Sequence, residues 1–109
     1  MTTTEVMAMN RSYISQVDTF REAAGRYAEL AYREAELEAG RSVAKQAAVE
    51  RIMAETGKAA TPAEKLAESD PEYSAYLGTL RDVARSKHRA WADQEAARLL
   101  AKLYSSTGD

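Results

Sequence analysis

The two prolines of this chain, Pro62 and Pro71, stand close together, and no proline interrupts the run from about Ser12 to Thr56. Proline removes a backbone donor and clashes with the preceding turn, so its absence over so long a run leaves helix formation unopposed. Residues of high helix propensity fill the run and only Gly25 and Gly40 break it, which predicts one long helix. It ends at Glu55-Thr56-Gly57-Lys58, where Gly57 can take the left-handed conformation that closes a helix. Thr61-Pro62-Ala63-Glu64 then reads as an N-cap, a proline at the first helical position and an acid completing a capping box, the start of a short helix. Asp70-Pro71-Glu72 repeats the signal and opens a helix running to about Tyr104. Residues 1–11 and 105–109 are expected to fray, and 1–109 to form a single helical domain. No segment alternates with the period of a strand, so the expected class is all-α.

Two long helices joined through a short one should fold back as an antiparallel hairpin. If Thr56 lies near Pro71, facing residue numbers sum to roughly 127 in that hairpin. At the tip level Val43, Ala44, Ala47, Ile52 and Met53 would face Tyr73, Tyr76, Leu77, Leu80, Val83 and Ala84. At the open end Ile14, Val17, Phe20, Ala24, Tyr27, Leu30 and Ala31 would face Ala96, Ala97, Leu99, Leu100, Leu103 and Tyr104. Between them Glu34, Leu37 and Arg41 would meet Lys87, Trp91 and Gln94, a charged waist in the seam. The hydrophobic share of 45% is inflated by alanine, which buries little area. Thin seams of this kind call for self-association, and a dimeric four-helix bundle is the expected form.

Net charge is −2, so no global field draws the chain to nucleic acid. There is no cysteine, which excludes disulfides and thiolate metal sites. No run approaches 18 apolar residues, and MTTTEVMAMNR lacks the pattern of a signal peptide. A cytoplasmic protein without membrane contact is the default.

The waist holds the candidate ligand site. Arg41 and Lys45 from the first helix, with Arg85 and Arg89 from the third, offer forks and charges for phosphate, while Trp91 and Tyr76 offer aromatic faces for a base. Arg81, Arg85 and Arg89 at i, i+4 and i+8 form one ridge of mutually repelling charge. Either Glu36 and Glu38, another subunit or a polyanion must neutralise it, whereas Lys87 projects elsewhere, near Asp82 or Asp93. With His88, these residues (Arg41, Lys45, Tyr76, Arg81, Arg85, His88, Arg89 and Trp91) make up the anion or nucleotide site. The blander reading is that the same charges fix the register of the hairpin. His88 has no second histidine or cysteine with which to hold a metal, so no metal or cofactor is expected. Glu34, Glu36 and Glu38 alternate and cannot all act together; Glu34 and Glu38 share a face, but no nucleophile, base and orienting acid stand at readable spacing. No glycine-rich phosphate loop is present, and a non-enzyme is expected. Gly40 and Gly78, opposite Lys87 and Val49 in the 127 register, are read as openings for a neighbouring helix or as tolerated breaks.

The order of signals, a long Ala/Glu/Arg helix, the Gly57-Lys58 break, the Thr61-Pro62-Ala63-Glu64 start and then Asp70-Pro71-Glu72-Tyr73, resembles small helical-hairpin proteins encoded by tailed phages. The resemblance spans about residues 28 to 100 and carries no functional residue with it. It implies an accessory role, counter-defence among them, in the cytoplasm of a bacterial host, with a host or phage protein as partner beside a second copy of the chain. Two other functions stay open on the residues. One is a sponge sequestering a phosphorylated nucleotide signal between hairpins, and the other is a recombination accessory holding single-stranded nucleic acid on the Arg81–Arg89 ridge, which the acidic overall charge disfavours.

Overall fold

The computed structural model describes residues 2–107. Three α-helices, α1 (Thr3–Thr56), α2 (Ala60–Leu66) and α3 (Pro71–Thr107), and a single 3-10 turn (Ala67–Ser69) account for nearly all of them, with no strand among the described residues. The all-α expectation therefore holds.

Local signals explain most element ends. Gly57 has φ +71° and its amide donates to the Met53 carbonyl at 2.9 Å, the left-handed closure the sequence called for. Asp70 caps α3: its carboxylate accepts the Tyr73 amide at 3.0 Å, and its carbonyl accepts the Ser74 amide at 2.8 Å. Two starts differ from expectation. Helix α1 begins at Thr3, not near Ser12, because Thr2 and Glu5 form a reciprocal capping box: the Thr2 hydroxyl accepts the Glu5 amide at 3.1 Å, and the Glu5 carboxylate accepts the Thr2 amide at 3.2 Å. Helix α2 begins one residue before Thr61, with Ala59 at the cap position and no side-chain cap, so Thr61 is helical and Pro62 sits in the first turn, where a missing amide costs nothing. At the other end α3 continues beyond Tyr104 through residues 105 and 106; residues 108 and 109 lie outside the described part.

The chain divides into two compact units, Met1–Ala31 with Ser86–Asp109, called the terminal unit here, and Tyr32–Arg85, the connector unit. In the connector unit, α1 and α3 are joined through α2 and pack antiparallel, a helical hairpin. Its core is Ala48, Val49 and Ile52 of α1, Ala63 of α2, Ala67 of the turn and Tyr73 of α3, with Ala44, Tyr76 and Leu77 against it. The seam follows Ala44, Ala48 and Ile52 at four-residue spacing, with Val49 in the same cluster as Ala63 and Ala67. Val43, 72% exposed, and Met53, 37% exposed, are therefore outside the layer to which the sequence assigned them.

The register also differs from expectation. A sum of 127 would set Arg51 against Tyr76, whereas Arg51 reaches Asp70 at 2.6 Å. In the terminal unit the same sum would set Arg26 against Ala101, whereas Arg26 reaches Asp93 at 3.5 Å. Partners on α3 thus lie six to eight residues, about two turns, earlier than expected. The cause is the connector: α2 and the 3-10 turn bury Ala63 and Ala67 in the core with Ile52, so Thr56 does not sit level with Pro71.

The terminal unit pairs the first part of α1 with the last part of α3. Its seam runs through Met9, Ser12, Gln16, Phe20, Ala23, Tyr27 and Leu30 on α1 and Lys87, Ala90, Gln94, Ala97, Ala101 and Tyr104 on α3, at spacings of three and four. Of these only Ala23, Ala90 and Ala97 are fully buried, the rest half-buried. Ile14, Ala96, Leu99, Leu100 and Leu103, expected in this layer, are exposed. Each of these belongs to a different face of its helix from the seam, because a three-and-four ladder that includes Ala97 and Ala101 excludes Leu99 and Leu103.

Candidate functional site

The best-organised polar cluster lies in the connector unit, where α1 approaches the start of α3. The Arg51 guanidinium donates to both oxygens of Asp70, through Nε at 3.4 Å and Nη2 at 2.6 Å, and Nη1 lies 3.1 Å from Glu72. This is a bidentate, charge-assisted pairing on a carboxylate that also caps α3. The Asp70 carboxyl is held below the usual carboxylate range, first by the Arg51 hydrogen bond and then by the Tyr73 amide. Arg51 was not among the residues expected to matter. The available signal was Asp70 itself: a cap acid beside the last turns of the preceding helix attracts a cation from it.

A second feature is the placement of Tyr76. Its hydroxyl donates to the Leu37 carbonyl, a bond between α3 and α1, and it passes so close to Gly40 that a Cβ there would sit 2.8 Å from the hydroxyl oxygen. Gly40 thus makes room for the Tyr76 side chain of its own chain. Gly25 and Gly78 have nothing within 4 Å of an added Cβ.

The eight residues expected to form the anion site are divided. Arg41, Lys45, Tyr76, Arg81 and Arg85 belong to the connector unit, His88, Arg89 and Trp91 to the terminal unit. In the connector unit Arg41 and Lys45 share a cleft of about 340 Å³ with Glu38, Ser42, Glu68 and Tyr73. Arg41 and Arg81 share another, of about 550 Å³, with Glu34, Glu38 and Glu68 above a floor of Leu77, Leu80 and Ala84. In the larger cleft three acids stand against two arginines, so its field does not favour a phosphate. The neighbouring Tyr73, and then the charges of Glu38 and Glu68, raise the Arg41 pKa above the usual arginine value. Tyr76 directs its hydroxyl to Leu37 instead of to a ligand.

Glu36 and Glu38 do not pair with Arg81 or Arg85 of the ridge among the described residues. Glu38 lies 3.9 Å from Arg41, the nearest acid to Arg85 is Asp82 of its own helix at 4.0 Å, and Glu36 forms no ion pair with Arg81, Arg85 or Arg89 among the described residues. In the terminal unit, Arg89 lines a shallow hollow with Arg26, Ser86 and Asp93, His88 is exposed, and Trp91 is 51% exposed. Leu37, expected at the waist opposite Trp91, accepts the Tyr76 hydroxyl on its carbonyl.

The terminal unit presents another kind of surface. Val6, Met7, Tyr13, Ile14, Trp91, Leu99, Leu100 and Leu103 are each 40–57% exposed. Among the described residues no helix is long and apolar enough to cross a membrane, and no three acidic or histidine side chains are grouped to hold a metal ion. No protein-family model, curated protein or solved structure matches the chain.

Proposed function

We propose that this chain is a non-enzymatic helical protein that works by associating with itself and, so assembled, binding a partner. The observation that carries the reading is the terminal unit's imbalance between an alanine seam and exposed large side chains. Burying an alanine methyl contributes about 0.8 kcal/mol, against about 1.5–3 kcal/mol for a Leu, Ile or Met side chain. The eight half-exposed side chains leave roughly 650 Å² of largely apolar surface, more than the apolar share of the ~800 Å² each partner contributes to a standard interface.

Dimerisation into a four-helix bundle is the form this association takes in our reading, and the resemblance to phage hairpin proteins supports an accessory role, counter-defence included, in a bacterial cytoplasm. The nucleotide-sponge reading has less support, because Arg41 and Lys45 stand among Glu38 and Glu68. Native mass spectrometry of the protein as purified tests all of this at once. A subunit count of two or more with no retained ligand is the expected result; a monomer at tens of micromolar contradicts self-association, and a bound phosphorylated compound favours the sponge.

A further inference from the structure

In the terminal unit α3 carries two apolar ladders. The inner one, Ala90, Gln94, Ala97, Ala101 and Tyr104, faces α1. The outer one, Ala92, Ala96, Leu99 and Leu103, advances by the same steps of four and three and is exposed, with both leucines more than half accessible. A helix with two such ladders packs between two neighbours, since each a/d ladder seats one facing helix. Within the terminal unit α1 covers only the inner one.

We infer that the outer ladder of α3 is where a second copy of this chain docks, its own α3 lying antiparallel about a two-fold axis between positions 96 and 99. The inference rests on the self-association proposed above and names its surface. The ladder is self-complementary under that symmetry, as an isologous interface must be. Antiparallel pairing sets Ala92 opposite Leu103 and Ala96 opposite Leu99, small against large at every level, which fills space without voids. Parallel pairing would set leucine on leucine and alanine on alanine, crowding one end and opening the other.

Charge permits the contact. No ladder position is charged, and Asp93 and Glu95 beside the ladder already have partners within the chain, Arg26 at 3.5 Å and Arg98 at 2.8 Å, so docking strands neither acid. Area permits it too. Antiparallel overlap from His88 to Ser106 is about 28 Å long, and half the circumference of a helix over that length is roughly 450 Å² on each chain. Two such strips approach the ~1,000 Å² total that a specific interface has to reach, with Leu100 and Trp91 adding apolar edges. The outer face of α1 is a poorer dock, because Asn10 and Arg21 interrupt the ladder of Met7, Ile14 and Val17.

The absence of cysteine makes the test direct. Ala96→Cys and Leu99→Cys chains are mixed in equal amounts and oxidised, and the products are separated by mass. Facing positions on an antiparallel pair come within disulfide reach, so the mixed disulfide should exceed either self-linked product several-fold. In parallel, Leu99→Asp/Leu103→Asp should keep the circular dichroism of the wild type while the dimer dissociation constant rises at least tenfold. Predominant self-linking of both cysteine chains overturns the antiparallel docking. A dimer that survives Leu99→Asp/Leu103→Asp but is lost in Ile14→Asp leaves self-association standing and overturns this surface. Wild-type chains that stay monomeric at 100 μM overturn both.

Discussion

The two units use the same pairing of α1 with α3 and close it in opposite ways. In the connector unit α2 and the 3-10 turn cover the pair, a tyrosine and an isoleucine are buried with three alanines and a valine, and bidentate and interhelical hydrogen bonds hold the register. In the terminal unit no third element among the described residues covers the pair, the fully buried positions are alanines, and Leu99, Leu100 and Leu103 of α3 point away from the seam. Two helices bury only one stripe each, so a pair becomes self-sufficient when a third element is supplied. Inside the connector unit the connector supplies it; for the terminal unit we assign that part to another chain.

The largest effect expected from this difference is in core truncation. Ile52→Ala should cost about 3 kcal/mol, because it empties a closed site, whereas Phe20→Ala, half-buried in the terminal unit, should cost about 1 kcal/mol. Urea unfolding of the two variants measures both, and equal losses would break the comparison. Next is the Arg51–Asp70 pair. Asp70→Ala removes a cap and an ion pair together and should lower the thermal midpoint by roughly 5 °C. The pair also sets an acid response. Because the folded-state pKa of Asp70 lies below the unfolded value, its contribution is present above about pH 4 and is lost as pH falls through the lowered value. Arg51→Met should therefore shift acid unfolding to higher pH, read by circular dichroism; an unchanged acid limb contradicts the assignment.

The smallest effects concern glycines. Gly25→Ala meets open space and should stabilise by about 0.5–1 kcal/mol through helix propensity. At Gly40 the same gain is cancelled by displacement of Tyr76, and it should return in the Tyr76→Phe background. Thermal melts of the single and double variants sharpen the contrast between a glycine that is tolerated and one that is required.

What the sequence made legible follows the range of the forces involved. Gly57 and the Asp70-Pro71 cap act over three or four residues, and both were read correctly from their neighbours. The Thr2–Glu5 capping box is as local, and its T-x-x-E pattern was available to be read. Register depended on where Ala63 and Ala67 pack, a tertiary fact without a local signature, so partners on α3 were expected about two turns later than they lie. The residues expected to form one anion site fall in both units. Val43 and Leu99 were misplaced because several faces of these alanine-rich helices are apolar enough to pass for a seam.

Hydrogen exchange followed by mass spectrometry at about 1 μM and 100 μM tests the central claim most directly, since it reads each unit separately in the same sample. Amide protection in residues 86–106 is predicted to rise at the higher concentration, while protection in 44–56 and 71–80 stays constant. Protection of both units that does not depend on concentration would contradict the account.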